Sequence, residues 1–489
     1  MTLEEPLLFE SSRPGAVGFS LPQSDVPDCD PCSVLSADSV RSDIPDFPEL
    51  SEPEVVRHYT RLSTWNAAVD LGLYPLGSCT MKYNPKVNER VARLAGFADT
   101  HPLQSQELSQ GLLGSMMDLS EYLAELAGFD HVTLQPAAGA QGELAGVMMI
   151  RAYHEARGET RTKILIPDTA HGTNPASAAL NGYETVAIPT GDDGILHPDA
   201  VAPLMGPDVA GLMITNPNTL GLFEENLVEI AEIVHNQGGL IYGDGANLNA
   251  LMGIARPGDL GIDVMHFNLH KTFTTPHGGG GPGSGPVGIK AHLEPFLPKP
   301  VLRDHEDGGV FLDYDRPQSI GRLHGNLGNV GMMTRALTYI RFMGPDGLKR
   351  STEMAVLNAN YVAARLKDRF VLATGDRPIM HECVFSDEHL DDTDVTTMDV
   401  AKRLIDYGYH PPTTYFPLIV HGALMIEPTE SESRESLDAF IAAILAIDDE
   451  ARRDPDLLHN APHNTRLTRL DETRAARKPI LRWSPKSAS

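Results

Sequence analysis

Two stretches of sequence give the clearest indication of the fold. They are residues 240–247, Leu-Ile-Tyr-Gly-Asp-Gly-Ala-Asn, and residues 264–272, Val-Met-His-Phe-Asn-Leu-His-Lys-Thr. Each stretch begins as a short apolar run, which is typical of a buried strand, and then becomes polar. The first stretch ends its strand at Asp244, and the second reaches Lys271, 27 residues later. This spacing leaves room for one crossover and a return to the same sheet. Because ligands of parallel sheets bind beyond the carboxyl ends of the strands, we predict a site there.

The same alternation of strand-like and helix-like segments extends to both sides of these two stretches. It implies a mostly parallel sheet covered by helices on both faces, which is an α/β fold. The predicted strands are His131–Leu134, Lys163–Ile166, Thr185–Ile188, Gly211–Thr215, Leu240–Tyr242 and Val264–Asn268. The clearest predicted helices are Leu108–Phe129, Gly142–Ala156 and Asn226–Asn236.

The length of 489 residues predicts two or three domains. Residues 1–60 are rich in Pro, Ser and Asp and predict an extended N-terminal arm. A large ligand-binding domain is expected at 61–335 and a smaller α+β domain at 336–455. The remaining residues, 456–489, form a basic tail.

The charge distribution limits the possible partners of the chain. A net charge of -27 argues against nucleic acid or an anionic membrane. The first 60 residues hold 12 acidic and 3 basic side chains, whereas residues 451–489 hold 9 Lys or Arg and 4 Asp or Glu. We favour two solvated ends, and the alternative is a tail that docks an acidic partner or helps to hold a substrate carboxylate. The acidic N-terminal sequence and the lack of a long apolar run predict a cytoplasmic protein.

The four cysteines do not predict a metal site. Cys29 and Cys32 form a single C-x-x-C, and no second pair of ligands follows at a useful spacing. We therefore expect no metal, and we expect that Cys29, Cys32, Cys79 and Cys383 are free thiols in a reducing compartment.

Lys271 is the strongest candidate for chemistry. It follows an apolar strand and precedes the glycine-rich run at 277–286, HGGGGPGSGP, which allows close approach of the backbone. A lysine that forms a Schiff base must be partly desolvated and held beside a flat ring, as this position allows. His270 can face a phosphate. The alternative is a surface lysine beside a flexible loop.

Three further motifs lie where predicted strands end. Asp244 could hold a proton on a pyridine nitrogen, or it could be part of an ordinary Asp-Gly turn. His171, in the run 168–175, could stack on a cofactor ring, or it could be a loop histidine. The small residues of 135–143, QPAAGAQGE, could bind phosphate at a helix N-terminus, or they could form a tight turn. The run lacks the glycine spacing for NAD and the Walker sequence for ATP.

The chain resembles the P-protein family of the glycine cleavage system, glycine dehydrogenase (decarboxylating). In length and start it is similar to the C-terminal, pyridoxal-phosphate (PLP)-carrying subunit 2 of the two-subunit bacterial form. The resemblance includes the four motifs above and several others: SLP at 20–22, DVP at 25–27, YPLGSCTMKYNP at 74–85, DYGYHPPT at 406–413, ALMIEPTE at 423–430 and AARKP at 475–479.

The resemblance implies an aminotransferase-like, type I PLP fold with sites built at a subunit interface. It implies that Lys271 carries PLP as a Schiff base, that Asp244 faces the ring nitrogen and that His171 stacks on the ring. Ala140 and Gln141 would contact the phosphate. The sequence departs from the family pattern in two places: Asn326 and Leu327 stand where Phe-Tyr is expected, and His421 replaces an acidic residue.

The implied activity is the decarboxylation of glycine, with transfer of the aminomethyl group to the lipoyl arm of H-protein. The implied partner is glycine dehydrogenase subunit 1, with two copies of each chain in the assembly. Two alternatives stay open from the residues: another type I PLP amino-acid decarboxylase or aminotransferase, and a catalytically silent scaffold subunit. The intact set of Lys271, Asp244 and His171 argues against a silent subunit.

Overall fold

A computed structural model describes residues 5–41, 43, 47–279, 281–306 and 308–482. The chain divides into two compact units. One unit comprises Met1–Ala68 and Asn464–Ser489, and the other comprises Val69–His463. No helix within the described part of the chain combines the length and the apolar composition that a bilayer-spanning segment needs. The domain boundaries given above stay a prediction.

The larger unit is built on a seven-stranded sheet. Its strands are β1 (His131–Thr133), β2 (Lys163–Pro167), β3 (Glu184–Ile188), β4 (Val209–Thr215), β5 (Leu240–Gly245), β6 (Val264–Phe267) and β7 (Val287–Ile289). They lie in the order β1-β7-β6-β5-β4-β2-β3. Strands β2 to β6 pair in parallel, whereas β7 is antiparallel to both of its neighbours. The predicted mostly parallel sheet is confirmed, and β7 is an addition that the sequence did not predict.

Two smaller sheets follow in the chain. A hairpin consists of β8 (Val301–Asp304) and β9 (Val310–Asp313), and a four-stranded sheet consists of β10 (Val371–Leu372), β11 (Cys383–Ser386), β12 (Thr413–Thr414) and β13 (Leu424–Ile426). The four strands lie in the order β10-β11-β13-β12. Leu76 forms an isolated bridge with Ile426, so the segment after residue 76 runs beside this sheet.

Helices cover both faces of the large sheet. The α-helices are, in chain order, α1 (Glu52–Ser63), α2 (Lys86–Ala92), α3 (Ala95–Ala98), α4 (Gln110–Ala127), α5 (Gly139–Ala156), α6 (Thr173–Leu180), α7 (Pro198–Val201), α8 (Leu227–Asn236), α9 (Val330–Leu366), α10 (Thr397–Asp406), α11 (Arg434–Arg453), α12 (Pro455–His459) and α13 (Glu472–Arg477). Alternate residues of β4 enter different cores: Leu212 and Ile214 pack in one, and Met213 packs in the other. A strand buried on both faces is mostly apolar, which explains the apolar run from Val209 to Ile214 that precedes Thr215 in β4.

The smaller unit contains α1 and α13. Helix α1 begins with a capping box between Ser51 and Glu54. Glu5 pairs with Arg61 at 2.5 Å and with His58 at 3.0 Å, and these contacts hold Glu5 against α1. The arm predicted at residues 1–60 thus includes most of a regular helix, α1, and is not extended throughout.

Gly245, at the end of β5, leaves no space for a side chain. A Cβ at this position would lie 1.9 Å from the backbone oxygen of His266 on β6. We expect Gly245→Ala to lower the free energy of unfolding by about 1–3 kcal/mol, because a strand would have to move. The measurement is the midpoint of denaturant-induced unfolding.

Gly114→Ala is the matched control, because a Cβ on this helical residue of α4 meets nothing within 4 Å. We expect it to leave the midpoint unchanged or to raise it, since alanine favours a helix by about 1 kcal/mol over glycine. Equal midpoints for the two variants would contradict the steric argument.

Candidate functional site

A cavity of about 270 Å³ opens at the carboxyl ends of β4, β5 and β6, beside the first turn of α5. This is the edge of the sheet at which parallel strands present ligand sites. Five of the six residues predicted for the site lie on its wall: Lys271, Asp244, His171, Ala140 and His270. The structure thus brings together side chains from four separate segments.

Lys271 lies in the turn that follows β6, where its backbone N–H donates to the carbonyl of Asn268 at 3.0 Å. Its side chain is half-buried, and Nζ donates a hydrogen bond of 2.7 Å to the carbonyl oxygen of Ser78. Ser78 has a φ of 56°, a left-handed conformation that is uncommon for a residue other than glycine. The sequence did not predict that Ser78 contacts the lysine, because the two are far apart in the chain.

Asp244 is the penultimate residue of β5 and is almost fully buried. Its carboxylate accepts hydrogen bonds from Ala246 N at 2.9 Å and from Asn174 Nδ2 at 3.2 Å. Nε2 of His266 lies 3.4 Å from the same carboxylate. Burial alone would raise the pKa of Asp244, but His266, Lys271 and the two N–H donors outweigh it and lower the pKa. Asp244 is therefore held ionised inside the cavity wall.

Behind Asp244, a second layer of side chains fixes its surroundings. Nδ1 of His266 lies 2.6 Å from the hydroxyl of Tyr242, and both side chains are buried. His266 and Tyr242 belong to the neighbouring strands β6 and β5, so the sheet itself sets this contact. Neither residue was predicted from the sequence, where both read as ordinary members of apolar strands.

His171 lies on the loop between β2 and α6 and stays exposed at the cavity mouth. Its Nδ1 is 2.8 Å from Oγ1 of Thr173, which donates to Oε2 of Glu143 at 2.9 Å. Glu143 is buried in α5, and burial together with the charge of Asp244 raises its pKa to about 7. The ring of Phe416 meets His171 edge to face at 5.7 Å. These contacts restrict how the imidazole can turn.

The first turn of α5 forms one end of the cavity. The helical hydrogen bonds begin with Gly142 N to the carbonyl of Ala138, so the preceding N–H groups are available to an anion. Ala140 lies on the cavity wall. The side chain of Gln141 instead turns back and accepts from Ala137 N at 2.7 Å. Any contact from Gln141 to a ligand in the cavity would therefore come from its backbone N–H.

His270 also faces the cavity, and its Nδ1 is buried with no hydrogen-bond partner among the described residues. Its ring meets that of His277 edge to face at 5.2 Å. Burial is the largest cause that lowers the pKa of His270 to about 3, and the neighbouring His277 and Lys271 lower it further. The imidazole is neutral near pH 7, so it has one N–H, and the ring forms a hydrogen bond with the Ser284 backbone.

The residues present fit a phosphorylated pyridine aldehyde. Three further polar atoms on the wall are buried without a partner in the described part of the chain: Glu143 Oε1, Thr215 Oγ1 and Asn247 Oδ1. A Cβ on Gly285 would lie 2.0 Å from the carbonyl of Ala138, so the glycine-rich run allows close packing against the start of α5. An amine, a carboxylate and a helix N-terminus therefore face one small cavity, as PLP requires.

The two departures from the family pattern lie away from this wall. Leu327 is buried in the core, and Asn326 beside it is exposed. His421 is exposed and pairs with Asp387 at 2.8 Å. Neither position is among the residues that line the cavity.

Sequence comparisons match most of the chain to two related descriptions. Residues 31–389 match the family described as "Glycine cleavage system P-protein", and residues 351–463 match "Glycine dehydrogenase, C-terminal domain". A protein of Lysinibacillus sphaericus named "Probable glycine dehydrogenase (decarboxylating) subunit 2" is 57% identical over 480 residues, covering 98% of each chain. A protein of Listeria monocytogenes with the same name is 57% identical over 486 residues, covering 99% of each.

Solved structures share the fold at lower identity. The crystal structure of a glycine decarboxylase (P-protein) of the glycine cleavage system, in inhibitor-bound form, is 22% identical with a TM-score of 0.73. The match covers 85% of this chain and 94% of that one. The cysteine desulfurase CsdA of Escherichia coli is 18% identical with a TM-score of 0.60, and the match covers 79% and 97%.

Proposed function

Because this chain belongs to the glycine cleavage system P-protein family and has the type I PLP-dependent fold, we propose that it decarboxylates glycine and passes the aminomethyl group to the lipoyl arm of H-protein. The single observation that carries this proposal is the cavity shared by Lys271, Asp244 and His171. A scaffold subunit without activity would not need an ionised carboxylate and a lysine in one cavity.

Lys271, Ser78 and Asp244 have specific roles in this proposal. PLP, when bound, supplies the electron sink that accepts the electron pair left behind by carbon dioxide. The amine of Lys271 would hold the cofactor through its aldehyde, and the Ser78 carbonyl orients that amine. Asp244 would keep a proton on the ring nitrogen, because its buried charge is best balanced by a protonated ring.

The remaining residues hold the phosphate and the ring. The N–H groups of Ala140 and Gln141 would hold the phosphate at the positive end of α5, and His270 would face it. His171 would pack on the ring face, positioned through Thr173 and Glu143. These roles rest on the family resemblance and on the contacts described above.

The test of the proposed function is exchange of labelled bicarbonate into the carboxyl group of glycine by the assembled enzyme. We expect exchange with glycine that depends on lipoylated H-protein. Decarboxylation of a larger amino acid would favour a different decarboxylase of the same fold, and transfer of an amino group to a keto acid would favour an aminotransferase. Absence of every one of these activities would leave the scaffold alternative.

The chain works within a two-subunit system, as the name subunit 2 of its relatives implies. We propose that its partner is glycine dehydrogenase subunit 1, with two copies of each chain. We predict that the isolated chain has only a small fraction of the exchange activity of the assembly, because an obligate interface of a few thousand Å² orders surfaces of both chains.

This prediction is checked by titrating the purified partner into the purified chain and following exchange. As a control, the Lys271→Ala chain with the same partner should stay inactive, which shows that the activity resides in this chain. Full activity of the isolated chain, unchanged by the partner, would refute the prediction.

A further inference from the structure

A second cluster of ionisable side chains lies on the small sheet, at His381, Glu382 and Glu427, and all three residues are 0% exposed. His381 and Glu382 directly precede β11, and Glu427 directly follows β13. Since Cys383 pairs with Ile426 in the antiparallel register, Glu382 and Glu427 come next and face each other. Like charges in this arrangement repel, and burial away from water adds to the cost.

The hydrogen bonds of the two carboxylates do not balance their charge. Oε2 of Glu382 accepts from Ser78 N at 2.8 Å, and Oε2 of Glu427 accepts from Thr80 N at 2.8 Å. Glu382 also accepts from the Ser78 hydroxyl at 3.2 Å and from Asn247 Nδ2 at 3.5 Å. All of these donors are neutral. Lys271, the lysine of the cavity, directs Nζ to the carbonyl of Ser78. Burial is the main cause that raises the pKa of both carboxyls, and the charge of Lys271 offsets it only in part.

His381 supplies an independent sign of a ligand. Both ring nitrogens, Nδ1 and Nε2, are buried without a hydrogen-bond partner among the described residues, and so is Oε1 of Glu427. Nε2 lies 3.9 Å from that oxygen, which is too far for a hydrogen bond. One donor atom from each of the three residues lies within 4.8 Å of the other two. Two ligands that each lie about 2.1 Å from one metal ion are separated by up to about 4.2 Å. Small movements of the side chains would therefore bring the three donor atoms onto one ion.

We propose that His381, Glu382 and Glu427 bind one divalent transition-metal ion, of the zinc or manganese type. One imidazole with two carboxylates is a mixed N/O ligand set that suits these ions. A histidine binds a metal as the neutral imidazole, so two carboxylates and one doubly charged cation give a site with no net charge. Such a site can be fully buried without an uncompensated ion.

The ion has a structural role in this proposal, which goes beyond the proposed function. It joins β11 to β13 and fixes the two carboxylates that hold the backbone of Ser78 and Thr80. Both of these residues have left-handed φ values, 56° and 49°, which need external support. The ion therefore stabilises the loop whose carbonyl orients Lys271. The cysteine spacing gives no sign of this site, because its ligands are distant in the chain.

The test is the metal content of the assembled holoenzyme, prepared without a polyhistidine tag and without chelators, by plasma mass spectrometry. We expect about one zinc or manganese ion per chain. His381→Leu and Glu427→Gln should lower the content about tenfold or more. His389→Leu is the matched control, because His389 lies near β11 with a single carboxylate, Asp448, at 4.0 Å. It should keep the metal.

A second measurement uses only the wild-type enzyme, so it tests the proposal even if the variants fail to fold. Removal of the ion from the wild-type enzyme with a chelator should lower its melting temperature, and Zn²⁺ or Mn²⁺ should restore it. An enzyme that holds no metal and takes up neither ion would overturn the proposal and would show that shared protons neutralise the pair. Metal that remains in both ligand variants would also overturn it, because the ion would then lie elsewhere. Neither result bears on glycine exchange, so the proposed function is tested separately.

Discussion

Replacing Lys271 with alanine is expected to abolish covalent binding of PLP and all glycine–carbon dioxide exchange. Lys271 is the lysine on the cavity wall, and its Nζ is held by a single hydrogen bond of 2.7 Å to a backbone carbonyl. Alanine has no nucleophile to form the Schiff base. The measurement is the absorbance of bound PLP near the visible edge, together with exchange activity of the assembled enzyme.

Lys290→Ala is the matched control for this variant. Lys290 also donates one hydrogen bond of 2.7 Å from a half-buried side chain to a backbone carbonyl, that of Gly128, but it does not line the cavity. We expect this variant to keep the absorbance band and the exchange activity. A Lys271→Ala enzyme with a normal band would contradict the assignment of the lysine.

The second large effect is expected for Asp244→Asn, which should bind PLP yet exchange glycine about 10²–10³-fold more slowly. A neutral amide cannot hold the proton on the ring nitrogen, so the electron sink weakens. Loss of one partner of a buried, hydrogen-bonded charge pair costs about 2–5 kcal/mol, and each 1.4 kcal/mol is a factor of ten in rate. The measurement is the exchange rate at saturating glycine, with PLP content determined in parallel.

Asp263→Asn provides the control for Asp244→Asn. Asp263 is equally buried and accepts a hydrogen bond from Ile241 N at 2.7 Å, but it lies just before β6, at the opposite end of the strands from the cavity. We expect it to lower stability and to leave the exchange rate of the folded enzyme close to wild type. Near-normal exchange by Asp244→Asn would show that another group faces the ring nitrogen.

The central strands could be predicted from the sequence because burial on both faces makes them continuously apolar. Strands β4, β5 and β6 begin and end within three residues of their predicted limits. Helix α5 begins at Gly139, three residues before its predicted start, since its first turn consists of small residues without an apolar pattern. Strand β7 was missed because three residues after a glycine-rich run give no periodicity to detect.

The candidate site was only partly predictable, because some of its contacts join segments that are far apart in the chain. Asp244 is the penultimate residue of β5, and Lys271 and His171 follow β6 and β2 by four residues, so the topology places all three at one edge of the sheet. Ser78 reaches the site from a distant loop, and Glu382 holds it from another sheet. Such contacts depend on tertiary packing, which no local pattern encodes.

Reduction of the wild-type assembly with borohydride, followed by peptide mass mapping, would show directly whether Lys271 holds PLP. Borohydride fixes a Schiff base as a stable secondary amine, so the modified lysine can be identified. We predict one phosphopyridoxyl group for each copy of this chain in the assembly, on the peptide that contains Lys271. Modification of a different lysine, such as Lys82, or absence of any fixed cofactor in a preparation that exchanges glycine, would contradict this account.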